Sequence, residues 1–180
     1  MRLAIIGIQG SGKGTQAKLI AKEFKLKRIT IGELLRKEVK SNSIRGKILA
    51  KYMNKGLMAP NQIVNKVILK NTPKNNFIVD GFPRDEKQLR VADKLNIEKV
   101  ILLTLTKKEV HKRIKKRRKI EKRTDDQEKA LEMRLKLFYK HSPKIFKHFK
   151  EKIIKINGNQ TIKKVFSEIK KALKKETYQN

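Results

Sequence analysis

Apolar residues along this chain follow two rhythms. Four short, mostly apolar runs stand out: Leu3–Ile6, Phe77–Val79, Val100–Leu105 and Ile153–Ile156. Runs of this length, bounded by glycine or polar residues, predict buried strands. A fifth, shorter candidate lies near Arg28–Thr30. Between them the apolar positions recur at helical spacing. Ala17, Leu19, Ile20 and Phe24 give an inward face to a helix over Thr15–Phe24, and Glu33–Val39 predicts the next. The stretch Ser41–Asn71 holds two helical patterns broken around Gly56 and Pro60. Further helices are predicted over Asp85–Leu95, over the basic segment Lys107–Arg118, and within Asp125–Phe149. Near the C-terminus, Ile162, Val165, Phe166, Ile169, Ala172 and Leu173 form one apolar face opposite a lysine-rich one. That pattern predicts a packing helix, with a basic amphipathic membrane-surface helix as the alternative. The last residues, Lys174–Asn180, are expected to fray. Short strands alternating with helices predict an α/β fold whose parallel sheet is covered on both faces.

Composition narrows the class. The 180 residues suit one compact domain with a core of its own. The chain has no cysteine, so disulfides, thiolate metal sites and a cysteine nucleophile are excluded. No apolar run approaches the roughly 20 residues of a membrane span, and the apolar start is broken by glycines too early for a signal peptide. A cytoplasmic monomer is the expectation. The charge is extreme, 48 Lys and Arg against 17 Asp and Glu, a net of +31. One reading is an anionic partner, free nucleotide or nucleic acid. The other is the Lys, Ile and Asn bias of an A/T-rich coding sequence, favoured by the spread of lysines along the whole chain.

The chemistry begins after the first strand. Gly7-Ile-Gln-Gly-Ser-Gly-Lys-Gly-Thr15 lies between a predicted strand and a predicted helix. Glycines open backbone angles that let successive N–H groups face one concavity. The helix that follows presents unpaired N–H groups and positive dipole at its start. Lys13 supplies an ammonium for outer phosphates and Thr15 a hydroxyl. The general phosphate-loop pattern asks for Ser or Thr directly after the lysine; here Gly14 stands there and the hydroxyl comes one place later.

Five segments, in order, make the chain similar to the adenylate kinase family. Gly10-Ser-Gly-Lys-Gly-Thr-Gln16 resembles that family's phosphate loop, and Ile29-Thr-Ile-Gly-Glu-Leu-Leu-Arg36 its monophosphate-binding segment. Gly56-Leu-Met-Ala-Pro60 with Ile63 and Val64 resembles the next, and Asp80-Gly-Phe-Pro-Arg-Asp-Glu-Lys-Gln88 is the strongest match. Arg123-Thr-Asp-Asp126 and Arg134, with Tyr139 and Pro143 behind them, resemble the segment after the lid. The resemblance implies a P-loop three-layer α/β/α fold with a five-stranded parallel sheet. It implies a core made of residues 1–29, 60–116 and 124–180, a helical monophosphate-binding insertion over 30–59, and a short lid over 117–123.

The same resemblance assigns roles. Gly10, Ser11, Gly12, Lys13, Gly14 and Thr15, with Arg113, Arg117 and Gln160, would hold ATP. Ile31, Arg36, Leu57, Met58 and Ala59, then Gly81, Phe82, Pro83, Arg84 and Gln88, would hold AMP, with Arg123 and Arg134. Lys13, Arg84, Arg117, Arg123 and Arg134 would carry the transfer, because phosphoryl transfer needs charge neutralised along its path and little covalent help. Arginine's planar fork suits a phosphate. Mg²⁺ would be held through water near Asp80 and Thr15, and Asp125 and Asp126 would hold lid arginines.

The base-reading positions depart from the family's habits. Ile31 stands where threonine is usual, Ala59 where a larger apolar side chain is usual, and Gln9 where proline is common. Gln88 fits the adenine-reading glutamine of AMP kinases, so AMP is preferred over UMP or CMP, with relaxed selectivity. The rival of another class is nucleic-acid binding: eleven of the seventeen residues from Lys107 to Arg123 are Lys or Arg. No aromatic stacking pattern interleaves with that run, and no specific nucleic-acid or membrane partner is expected.

Overall fold

The computed structural model describes residues 1–41, 43–121 and 127–177. Among the described residues five strands run β1 Arg2–Gly7, β2 Lys27–Thr30, β3 Phe77–Asp80, β4 Lys99–Thr104 and β5 Ile153–Asn157. Eight α-helices among them connect and cover the strands: α1 Lys13–Glu23, α2 Ile31–Lys40, α3 Ile44–Asn54, α4 Asn61–Asn71, α5 Leu89–Lys94, α6 Lys107–Glu121, α7 Glu128–His148 and α8 Ile162–Thr177. The sheet is wholly parallel in the order β2-β3-β1-β4-β5. The five-stranded parallel α/β fold expected from the sequence is present.

The central strands β1, β3 and β4 split their side chains between two cores at the period of two that a strand imposes. Ala4 and Ile6 of β1, Phe77 and Val79 of β3, and Val100 and Leu102 of β4 face one side. There they meet Leu35 of α2, Leu49 of α3, Ile68 of α4, Ala92 of α5 and Ile145 of α7. Leu3, Ile5, Ile78, Ile101 and Leu103 face the other side, against Ala17 and Ile20 of α1 and Val165, Ile169 and Leu173 of α8. The C-terminal segment is therefore a packing helix. It continues to Thr177, beyond Lys174 where fraying is expected, because the buried Leu173 anchors the turn that follows.

The topology fixes where a ligand can lie. After β1 the chain crosses on the α1 face, whereas after β3 it crosses on the α5 face. Neighbouring strands whose connections leave in opposite directions open a crevice beyond their carboxyl ends. β1 and β3 are such a pair, in register from Arg2 opposite Phe77 to Ile5 opposite Asp80. A smaller apolar cluster, Ile8 with Val110 and Ile114 of α6 and Leu131 and Leu135 of α7, holds the roof of that crevice.

One element differs from its sequence reading. The helix expected over Asp85–Leu95 opens as a 3₁₀ turn, Glu86–Gln88, and becomes α-helical only at Leu89. The side chains of Asp85 and Gln88 are drawn inward into tertiary hydrogen bonds, which overrides local helical preference.

Candidate active site

The loop after β1 folds around its own glycines. Gly10 and Gly12 have φ of +78° and +92°, a region that L side chains rarely adopt. Gly7 lies so close to the backbone of Leu103 that a Cβ there would collide with its carbonyl oxygen. The path lets Ser11 N donate to Ile8 O at 3.2 Å and turns the start of α1 into the crevice. Lys13, the first residue of α1, reaches back over the loop. Its Nζ donates to Gly7 O at 2.7 Å and to Ile8 O at 2.8 Å.

Asp80 ends β3 directly beside β1 and is 7 % exposed. Lys13 and Asp80 perturb each other. Burial lowers the lysine to about 8; Asp80 opposes this, while Arg84, Arg117 and Arg134 reinforce it. Burial raises Asp80, against the pull of Lys13, Arg84 and Arg28.

Around this pair opens a cleft of about 940 Å³. Its floor is the glycine loop, including Gly10, Ser11, Gly12, Gly14 and Thr15. One wall is the α2 and α3–α4 side, with Arg36, Leu57 and Met58. Gly81, Pro83 and Arg84 follow from the β3 turn, whose Phe82–Pro83 peptide is cis. The other wall carries Arg113 and Arg117 of α6, Arg134 of α7 and Gln160 before α8. Six arginines and two lysines among the described residues thus line the cleft against two acidic side chains, Asp80 and Glu33, a charge pattern suited to phosphates.

The arginines are aimed by their neighbours. Arg84 Nε donates to Gly81 O at 2.8 Å, folding the guanidinium back over its own turn. Arg113 Nε donates to Glu109 Oε1 and Nη2 to Gly158 O, both at 2.8 Å. Arg134 Nη1 donates to Gln9 Oε1 at 2.7 Å. Gln9, a departure from the family's usual proline, therefore ties the phosphate loop to the far wall. Gln160 Nε2 donates to Asn157 O at 2.9 Å and to the Glu168 carboxylate at 3.0 Å.

Four expected monophosphate residues sit behind the cleft's lining. Ile31, Ala59, Phe82 and Gln88 are buried; the first three pack in the core on the α5 face of the sheet. Gln88 Oε1 accepts from Arg84 N at 2.8 Å, and its Nε2 donates to Asn61 Oδ1 at 2.6 Å. Arg123, Asp125 and Asp126 lie outside the described residues. Arg117, placed by sequence at the start of the lid, sits within α6.

Sequence reasoning missed several cleft residues. Thr30 lines it, and its buried Oγ1 has no hydrogen-bond partner among the described residues. Arg28 also lines it, paired with Glu33 at 3.0 Å. The signal for Thr30 was available: a hydroxyl at the end of a strand, beside Asp80 in register.

No helix among the described residues is long and apolar enough to cross a membrane. No group of three or more His, Asp or Glu residues among them has metal-holding geometry. The donors near Lys13 are oxygens: the Asp80 carboxylate, close to Gly14, and the Thr15 hydroxyl on the cleft floor. Too few for a protein cage, they suit a hard ion such as Mg²⁺ that keeps its waters and takes phosphate oxygens.

A glycine-cradled lysine at a sheet switch point, faced by arginines from both walls, defines the class as a P-loop nucleoside monophosphate kinase. The comparisons with known proteins narrow it. The family model described as adenylate kinase matches residues 5–154. The adenylate kinase of Buchnera aphidicola subsp. Cinara cedri is 36 % identical over an alignment of 205 positions, covering 94 % of this chain and 95 % of that protein. The adenylate kinase of Azobacteroides pseudotrichonymphae is 32 % identical over 181 positions, covering 94 % and 95 %. That of Caldanaerobacter subterraneus subsp. tengcongensis is 30 % identical over 212 positions, covering 96 % of each. The chain belongs to the adenylate kinase family.

Proposed function

We propose that this enzyme moves the terminal phosphoryl group of Mg-ATP onto AMP, giving two ADP, as a cytoplasmic monomer. The observation that carries the proposal is the convergence of Lys13, Arg36, Arg84, Arg113, Arg117 and Arg134 on a single cleft. Two anionic substrates can lie there end to end. Arg36 and Arg84 stand on the monophosphate side, Lys13, Arg113 and Arg117 on the triphosphate side, and Arg134 between them; by its motif, Arg123 would act with Arg134.

Each of these residues has a definable task. Incoming phosphates compete with the Gly7 and Ile8 carbonyls for the Lys13 ammonium. Their charge favours the protonated lysine and so opposes the effect of burial. The arginines neutralise the three equatorial oxygens as the phosphoryl group passes between donor and acceptor. Asp80 and Thr15 would hold Mg²⁺ through its waters, and the ion, when bound, neutralises phosphate charge. No side chain is needed as a covalent nucleophile. Closure of a lid over 117–123 and of the insertion over 30–59 would exclude water and so favour transfer over hydrolysis. The alignment with the Buchnera protein is longer than this chain, whereas that with the Azobacteroides protein is nearly its length.

Base selection is less strict than phosphate binding. At position 31 an apolar side chain faces the core, so no hydroxyl reads the base from there. Thr30, one place earlier, lines the cleft, and its hydroxyl has no partner among the described residues. Selection of adenine is then assigned to Gln88, which lies directly behind the Arg84 turn that lines the cleft. The test is a steady-state assay with Mg-ATP and AMP, UMP, CMP, GMP or dAMP as acceptor. AMP is expected to give the highest kcat/KM; a higher value for UMP or CMP would overturn the substrate assignment while leaving the reaction class intact.

A further inference from the structure

The turn after β3 and the first turn of α4 share a partly buried chain of polar contacts that phosphate binding does not use. Asn61 Nδ2 donates to Asp85 Oδ2 at 2.8 Å. Gln88 Nε2 donates to Asn61 Oδ1 at 2.6 Å. Arg84 N donates to Gln88 Oε1 at 2.8 Å. Asp85 and Gln88 are 6 % and 2 % exposed.

The two ends of this chain have fixed polarity. A carboxylate only accepts, and a backbone N–H only donates. Starting from Asp85, Asn61 must turn its amide nitrogen toward the carboxylate, so its carbonyl faces Gln88. Starting from Arg84, the N–H demands the carbonyl oxygen of Gln88. Both ends require the same orientation of the Gln88 amide. Reversing that amide would oppose donor to donor at Arg84 and acceptor to acceptor at Asn61, in a site where unpaired polar groups are strongly penalised. The other Asp85 oxygen, Oδ1, is buried without a hydrogen-bond partner among the described residues, so Asn61 is the group that holds that carboxylate. Gln88 keeps one Nε2 hydrogen and one Oε1 lone pair, a donor and an acceptor in a set order.

We infer that Asn61 and Asp85 are positioning residues for base selection, locking the Gln88 amide in the one order that matches adenine. Adenine offers an acceptor at N1 and a donor at its amino group. Hypoxanthine offers the reverse, N–H at N1 and a carbonyl oxygen, and would need the flipped amide. The inference rests on the AMP reading above, with Gln88 at the base.

The test compares AMP with IMP as acceptor, at saturating Mg-ATP, for the natural chain, Asp85→Asn, and Asp85→Asn combined with Asn61→Asp. Asp85→Asn alone lets the Asn61 amide reverse, because an amide at 85 can donate to its carbonyl, so the order of the Gln88 amide is no longer set from that end. Its AMP-over-IMP ratio of kcat/KM is expected to fall roughly tenfold, mostly through KM for AMP, with KM for ATP unchanged. Adding Asn61→Asp restores an acceptor-only group at 61, which accepts from the amide at 85 and from Gln88. The ratio should then return to within about threefold of the natural value. A merely structural defect would depress AMP and IMP alike and would not be rescued by the exchange. Should the single variant fail to fold, the Gln88 side-chain amide of the ¹⁵N-labelled natural chain decides. Two resolved, slowly exchanging protons support the lock; rapid exchange with water overturns it. A natural chain that uses IMP as well as AMP would remove the AMP reading and this inference together. A natural chain that prefers AMP, with the same preference in Asp85→Asn, would remove the positioning role alone.

Discussion

Burying the Lys13 ammonium works against the fold. Its folded value of about 8 lies below the ordinary 10.5. Between those values the unfolded chain binds more protons than the folded one, so this site makes stability rise with pH across that window. The destabilisation is fully present below pH 8 and gone above about 10.5. Lys13→Met is therefore expected to abolish phosphoryl transfer yet stabilise the protein at pH 7, by on the order of 2 kcal/mol. Chemical denaturation at pH 7 and pH 10 checks this: the gap between variant and natural chain should shrink at the higher pH, and a variant less stable at pH 7 would contradict it. Asp80 behaves with the opposite sign. Its raised value means that stability falls as pH rises through the carboxylate range, so Asp80→Asn should also stabilise at neutral pH while impairing activity. Both residues were legible in the sequence as chemistry, because glycine spacing and strand ends mark them. Their mutual perturbation was not, since it depends on which strands become neighbours.

At the scale of elements, the strands were legible because buried parallel strands are written as short apolar runs. The 3₁₀ opening before α5 was not, because it is imposed by Asn61, 27 residues from Gln88. The burial of Gln88 and Ile31 behind the cleft's lining was hidden for the same reason. Motif position names a residue but does not say whether it faces the ligand or the core. Gly56 shows a further contact that spacing could not reveal. It has φ of +71°, and a Cβ there would meet the backbone carbonyl of Ala130 in α7. The turn between α3 and α4, which carries Leu57 and Met58 into the cleft, is thereby pressed against the helix that carries Arg134. Gly56→Ala is expected to cost roughly 2 kcal/mol or more and to raise KM for the monophosphate. Denaturant midpoints and steady-state kinetics test it; an unchanged midpoint would contradict the close packing.

The whole molecule is a strongly basic body with its phosphate cleft at the sheet's switch point. A net charge of +31 should draw nucleotide anions toward that cleft. kcat/KM for ATP is then expected to fall several-fold between about 20 and about 200 mM salt, with kcat nearly constant. A flat salt profile would mean that the charge plays no part in capture. RNA is expected to adhere weakly at low salt and release at moderate salt, while transfer persists.

³¹P NMR of the protein with equimolar Mg-ATP and AMP distinguishes transfer to AMP from release to water. Two ADP are expected for each ATP consumed, with no appreciable inorganic phosphate and no reaction with Lys13→Ala. Inorganic phosphate accumulating while AMP stays unchanged would contradict transfer to AMP.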